Sequence, residues 1–298
     1  MVSGGIAPGC RILLMRPTFT LLLFLSLPLA AQTDPIAAGD AAWARRAEGH
    51  QGARALPGPI DEAIAAYQRA VKEQPDRLEG TWKLLRALHY KGDFTTDSND
   101  AKQRIFARGK EVAEGGIDRL AKRTAGSRQK LDALSPTRAA KAVAAVPEAR
   151  PLFLWSAVHW GLWGDVFGRL AAARQGVGDK VRRYSEILIA ADERYEDAAG
   201  HRILGRLHTL APKVPFVTGW VDRDKAIAEL RRAVALGPDN FDNHVFLAEA
   251  LLEYQPAKAA EARDVLRRLI ARPPTPELVV EQEKSLVNAR ALLAKHAS

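Results

Sequence analysis

The chain has 298 residues, 47% of them apolar, which suffices for a buried core in one large domain or two small ones. Its formal charge is +9, yet basic and aromatic residues are nowhere interleaved in a recognisable binding motif, so nucleic acid is not an expected partner. A single cysteine, Cys10, excludes a disulfide framework.

The first 31 residues read as an export leader. Arg11 and Arg16 precede the apolar run TLLLFLSLPLAAQ, which is too short to span a bilayer and ends on the small residues Ala30 and Ala31. Met15 is a better start than Met1, because it leaves a leader of ordinary length. Removing Arg11 and Arg16 with the leader lowers the charge to +7, and Cys10 leaves as well. The mature chain, 32–298, would then hold no thiol nucleophile and no thiolate metal ligand. A lipid anchor needs a cysteine just after the apolar run, where this chain has Ala30, Ala31 and Gln32. The expected product is therefore soluble and exported, or tethered by an uncleaved leader.

Alternating β-branched runs are missing from the rest, and alanine, leucine, arginine and glutamate dominate its periodic segments, so the mature chain reads as all-α. From Ile60, IDEAIAAYQRAVKEQP places Ala63, Tyr67, Ala70 and Pro75 at steps of four, three and five. Trp82, Leu85 and His89 follow, then Gly92-Asp93-Phe94 as a short turn between paired helices. A helix is expected over Ala101 to Lys122. Gly115-Gly116 lacks the lysine and hydroxyl residue of a nucleotide loop and reads as a helix break. Between Ala101 and Arg150, twelve Lys/Arg stand against five Asp/Glu. Such a stretch is either a solvated basic face or a contact for anionic lipid head groups or an acidic partner.

From Pro151 to Ala173 the sequence PLFLWSAVHWGLWGDVFGRLAAA carries three of the six tryptophans. Read at 100° per residue, it puts Leu152, Trp155, His159 and Trp163 on one side, flanked by Phe153, Trp160 and Phe167. Ala157, Gly161, Gly164 and Gly168 form a strip of small residues on the other, where a neighbouring backbone can approach. The segment is too short to span a membrane and is expected at the centre of the fold. Aromatic residues at this spacing are ordinarily core, and a lone histidine among them is ordinarily a hydrogen-bonded core group. The alternative is that Trp155, His159 and Trp163 line an apolar cleft.

A helix over Asp179 to Glu196 carries Tyr184, Ile187, Leu188, Ala191 and Tyr195 on one side. Leu204, Gly205, His208 and Ala211 have the spacing of a small-residue groove. The loop PKVPFVTGWVD, Pro212 to Asp222, follows with Phe216 and Trp220. DKAIAELRRAVALGP then repeats the earlier steps with Ala226, Leu230, Ala233 and Pro238, and EARDVLRRLIARPP carries Ala262, Leu266, Leu269 and Pro274. Small residues let one helix of a hairpin nestle on the next, the large residue fills the gap, and proline ends the helix. This pattern resembles the second helix of a tetratricopeptide repeat. The segment Glu277 to Lys295 is expected to cap the solenoid, for eleven or twelve helices in one domain. No catalytic dyad, nucleophile elbow or metal-ligand spacing occurs, so catalytic residues, metals and cofactors are all expected to be absent.

In combination, the leader, the early hairpin, LFLWSAVHWGLW, YEDAAGHRILGRL (Tyr195 to Leu207), the proline-containing insertion and DRDKAIAELRRAVALGPDN resemble the T component of TRAP transporters, over about Ala41 to Leu293. The resemblance implies a periplasmic, all-helical protein with degenerate tetratricopeptide-like repeats around the aromatic helix. It further implies association with the substrate-binding P component, a homotrimer, and a cleft for a small hydrophobic or organic-acid ligand. The matching positions are Trp155, Trp160, Gly161, Gly200, Arg202, Leu204 and Gly205. The chain departs from the family in lacking the cysteine of a lipid anchor. The candidate ligand-binding residues are accordingly Trp155, His159, Trp160, Trp163, Tyr195 and Arg202, with Arg202 as the counter-charge. The alternative is an envelope scaffold that joins protein partners without a ligand.

Overall fold

Fourteen α-helices and no strand make up the described part of the chain in the computed structural model. It describes residues 34–214 and 218–296, with residues 1, 4 and 5 besides. All but those three residues of the expected leader lie outside the described residues, as does Phe216. The helices are α1 (Pro35–Ala44), α2 (Pro57–Glu73), α3 (Leu78–Phe94), α4 (Asn99–Ala125), α5 (Arg128–Asp132), α6 (Pro136–Val143), α7 (Ala149–Phe167), α8 (Arg169–Arg174), α9 (Val177–Ala191), α10 (Tyr195–Leu210), α11 (Arg223–Leu236), α12 (Phe241–Tyr254), α13 (Ala259–Ile270) and α14 (Val279–Lys295). The excess over the expected number comes from short pieces such as α5 and α8, below the length at which periodicity shows.

The three repeated segments become α2, α11 and α13, and the apolar positions before each closing proline are all sealed. Ala63, Tyr67 and Ala70, then Ala226, Leu230 and Ala233, then Ala262, Leu266 and Leu269 are each at most 2% exposed. Each segment packs as a hairpin against its chain neighbours: α2 against α1 and α3, α11 against α10 and α12, α13 against α12 and α14. Glycines admit these contacts. A Cβ on Gly205 would stand 2.6 Å from Leu230 Cγ, and one on Gly80 3.0 Å from the Ala70 Cβ.

Thr33–Ser298 form one unit with three large buried clusters. The first joins α3, α4, α7 and α9, the second α11 to α14, and the third α1 to α3. Val280 of α14 lies in the third cluster, whereas Leu286 and Ala289 of the same helix lie in the second. Arg46 donates through Nε to Glu281 Oε1 at 3.0 Å and through Nη2 to the Glu277 carbonyl. The last helix therefore does more than cap: it returns to the first hairpin and ties the first and last described helices together.

Three local expectations are corrected, the first being the turn at Gly92-Asp93-Phe94, which instead forms the last residues of α3. Gly115-Gly116 does not break a helix, because α4 runs unbroken through it, with Gly116 pressed against Leu152 and Thr81. The aromatic helix does not reach Ala173. It stops at Gly168, whose φ of 85° is open to glycine but strained for other residues.

Candidate ligand-binding face

The six candidate residues do not share one cleft; they fall into three environments, with Trp155 at the border of two of them. His159, Trp160 and Trp163 belong to the interface of α7 with α3, α4 and α9. His159 is 0% exposed, and its Nε2 lies 2.8 Å from the Leu85 carbonyl oxygen. A carbonyl only accepts, so Nε2 carries the proton and Nδ1 is left as a buried acceptor with no partner. The α4 backbone passes directly over the ring, since a Cβ on Gly109 would lie 2.0 Å from Nδ1. Burial lowers the His159 pKa to about 4, so the imidazole is neutral near pH 7. Trp160, 1% exposed, donates from Nε1 to Glu114 Oε1 at 2.9 Å. The ammonium groups of Lys180 and Lys110 stand 3.7 and 4.8 Å from its ring centroid. Trp163 stacks on Phe167 at 4.7 Å. The expected cleft beside Trp155, His159 and Trp163 is therefore not formed, because α4 fills the space over His159.

The glycine strip also behaves differently from its reading as one packing face. Gly161 has open space at its Cβ position, Gly164 meets only the Val177 and Ala172 side chains, and Gly168 ends the helix. Close approach is instead provided by the facing helix, through Gly109 and Gly116 of α4.

Arg202 sits at the junction of α10 and α12. Glu196, Asp197 and Ala198 take left-handed φ values of 48°, 55° and 63°, a conformation that costs about 1–2 kcal/mol for each non-glycine residue. Arg202 Nη1 donates to the Asp197 carbonyl at 3.2 Å and to Asn243 Oδ1 at 3.2 Å. Asn243, fully buried, donates in turn to the carbonyls of Asp197, Ala233 and Gly237 at 3.1, 3.0 and 2.8 Å. Arg202 Nη1 thus clasps a strained turn, directly through the Asp197 carbonyl and indirectly through Asn243.

Trp155 and Tyr195 form the third environment, where side chains remain partly in contact with solvent. Both pack, half-buried, on a small cluster of Leu154, Leu188 and Ala199. Burial pushes the Tyr195 phenol up to about 12, and the Arg150 guanidinium lies 5.2 Å from its ring centroid. The Trp155 ring is 5.3 Å from that of His89 on α3, whose Nε2 is 3.2 Å from Asp93 Oδ2.

Trp82, Arg86 and His89 continue this half-buried face along α3, with Trp43 of α1 alongside. The Arg86 guanidinium carbon is 3.9 Å from the Trp43 ring centroid and 5.1 Å from that of Trp82. The sequence held a signal for this stripe, since positions 82, 86 and 89 fall within about 60° on a helix. The contribution of Trp43 arises from tertiary packing alone.

The basic stretch is also open. Of its twelve cations, only Arg128 and Arg150 form ion pairs among the described residues. Arg119, Lys122 and Arg123 line a cleft of about 490 Å³ with Asp76 and Leu78. No helix among the described residues is long and apolar enough to cross a membrane, and none of those residues cluster as metal ligands. No family model matches the chain, and a search of curated proteins gives no significant match.

Proposed function

We propose that the chain is an exported helical-repeat binding protein, an accessory factor similar to the T component of TRAP transporters, acting without covalent chemistry. It would pair with the periplasmic substrate-binding protein of such a system and take a small apolar ligand on the face of Trp155, Tyr195 and Trp82. The observation that supports this reading is the gathering of partly solvated aromatic rings from α1, α3, α7 and α10 on adjoining surfaces, where most large apolar side chains of the fold are sealed. The unpaired cations of α4 and α6 offer a contact for an acidic partner surface.

The sealed surroundings of His159 and Trp160 favour the second reading, a scaffold that joins proteins and holds no small molecule. Tryptophan fluorescence titrated with candidate apolar ligands separates the two. The ligand reading expects a saturable change that Trp155→Ala weakens at least about tenfold in a variant that still melts cooperatively. Unaltered binding in that variant rejects this face. Co-purification with the periplasmic substrate-binding protein, absent from a control without it, tests the partner.

A further inference from the structure

The most unusual charge on the molecule is Arg86. Its guanidinium carbon lies 3.9 Å from the Trp43 ring centroid and 5.1 Å from that of Trp82, and its Nε is buried with no hydrogen-bond partner. Among the described residues no carboxylate lies within ion-pair distance of it, although those residues hold twenty-five such pairs, many on open surface. Asp40, the carboxylate whose charge acts on Arg86, is already engaged: it accepts from Tyr67 Oη at 2.8 Å and from Lys83 Nζ at 2.7 Å, and the Tyr67 hydroxyl is itself a neighbour of the guanidinium. A second guanidinium, that of Arg46, stands 4.5 Å from the same Trp43 ring but is neutralised by Glu281.

Burying a cation without an anion is costly, and an unsatisfied donor in such a place calls for a partner from outside. The aromatic walls offset part of that cost and hold the planar fork in one orientation. Trp155 packs on His89, one turn further along α3, and the Arg86 charge reaches the Tyr195 phenol strongly enough to act against the rise of its pKa.

We propose that Arg86 receives the carboxylate of a small organic acid, whose hydrocarbon body lies against Trp82, Trp155 and Tyr195. This rests on the ligand-binding reading above and replaces Arg202 as the counter-charge. A carboxylate matches the guanidinium fork in two parallel hydrogen bonds, whereas an amide of the same shape offers one acceptor and no charge.

The test uses octanoate and its neutral isostere octanamide, titrated calorimetrically into wild type, Arg86→Gln and Arg86→Lys. Wild type should bind octanoate at least about tenfold more tightly than octanamide. Arg86→Gln should weaken octanoate by about 10- to 100-fold and octanamide by much less, because the glutamine amide can still donate to the single acceptor of the neutral probe. Arg86→Lys keeps the charge and the apolar stem but loses the fork, so a smaller loss for octanoate alone is expected, and this variant carries the test if the glutamine variant does not fold. Octanoate affinity that neither variant alters overturns the proposal. If both probes bind equally, indifferent to Arg86 but weakened by Trp155→Ala, the role of Arg86 falls and the ligand reading survives. If wild type binds neither probe, both fall together.

Discussion

Trp160 and Trp155 lie five positions apart on the same helix, yet they are placed in opposite circumstances by what faces them. Over His159 and Trp160 the neighbouring helix α4 offers Gly109, and its backbone closes against the rings. Around Trp155 the neighbours are His89 and the small cluster of Leu154, Leu188 and Ala199, and part of the indole stays in solvent. A helix rich in aromatics is thus neither a core element nor a binding element as a whole. The facing backbone decides, residue by residue.

The largest expected effect comes from truncating each indole in turn. Trp160→Ala removes a sealed ring and leaves Glu114 without its donor, so a loss of about 3–5 kcal/mol is expected. Trp155→Ala removes a ring already partly hydrated, for which about 1–2 kcal/mol is expected. Denaturant midpoints at constant slope measure both, and equal losses would erase the distinction between the two sides.

Acid sharpens the same comparison. His159 is neutral in the folded state, with its pKa lowered to about 4, whereas in the unfolded chain an imidazole titrates near 6.5. Between those values the unfolded state binds the extra proton, so stability is complete above about pH 6.5 and is lost as pH falls toward 4. The full difference is on the order of 3 kcal/mol. His208, also lowered to about 4, loses stability in the same window. His159→Gln, whose amide can still donate to the Leu85 carbonyl, should therefore flatten the slope between pH 4 and 6.5 only in part. An unchanged slope would mean that His159 is not held neutral.

Much of the helical pattern is legible in the sequence because it is local. The spacing of Ala63, Tyr67 and Ala70 and its two echoes mark the buried faces of α2, α11 and α13, and the composition marks an all-α chain. The candidate site was legible only in fragments. Trp155 and Tyr195 are found on one small cluster, but nothing in a single helix's periodicity says that α4 covers His159 or that Arg202 turns back onto Asp197. Arg86 was within reach through its stripe with Trp82 and His89, but its lack of an anionic partner is a property of α1, α2 and α3 together. Pairwise tertiary choices of this kind leave no periodic trace.

The smallest effects isolate the facing backbone from the aromatic rings themselves, through two glycines that look alike in sequence. At Gly109 an added Cβ would lie 2.0 to 2.7 Å from three atoms of the His159 imidazole, and that ring is anchored to Leu85 and cannot swing away. Gly109→Ala should therefore destabilise by about 2 kcal/mol despite the better helix propensity of alanine, because the strain of overpacking exceeds the gain. At Gly161, on α7 itself, no heavy atom lies within 4 Å of the added Cβ, so the same substitution gains propensity and meets nothing. Gly161→Ala should stabilise by about 0.5–1 kcal/mol, read as a higher denaturant midpoint. Opposite signs at the two positions would show that α4 seals the buried side of the aromatic helix. A destabilised Gly161→Ala variant would instead show that the space beside α7 at that point is not open.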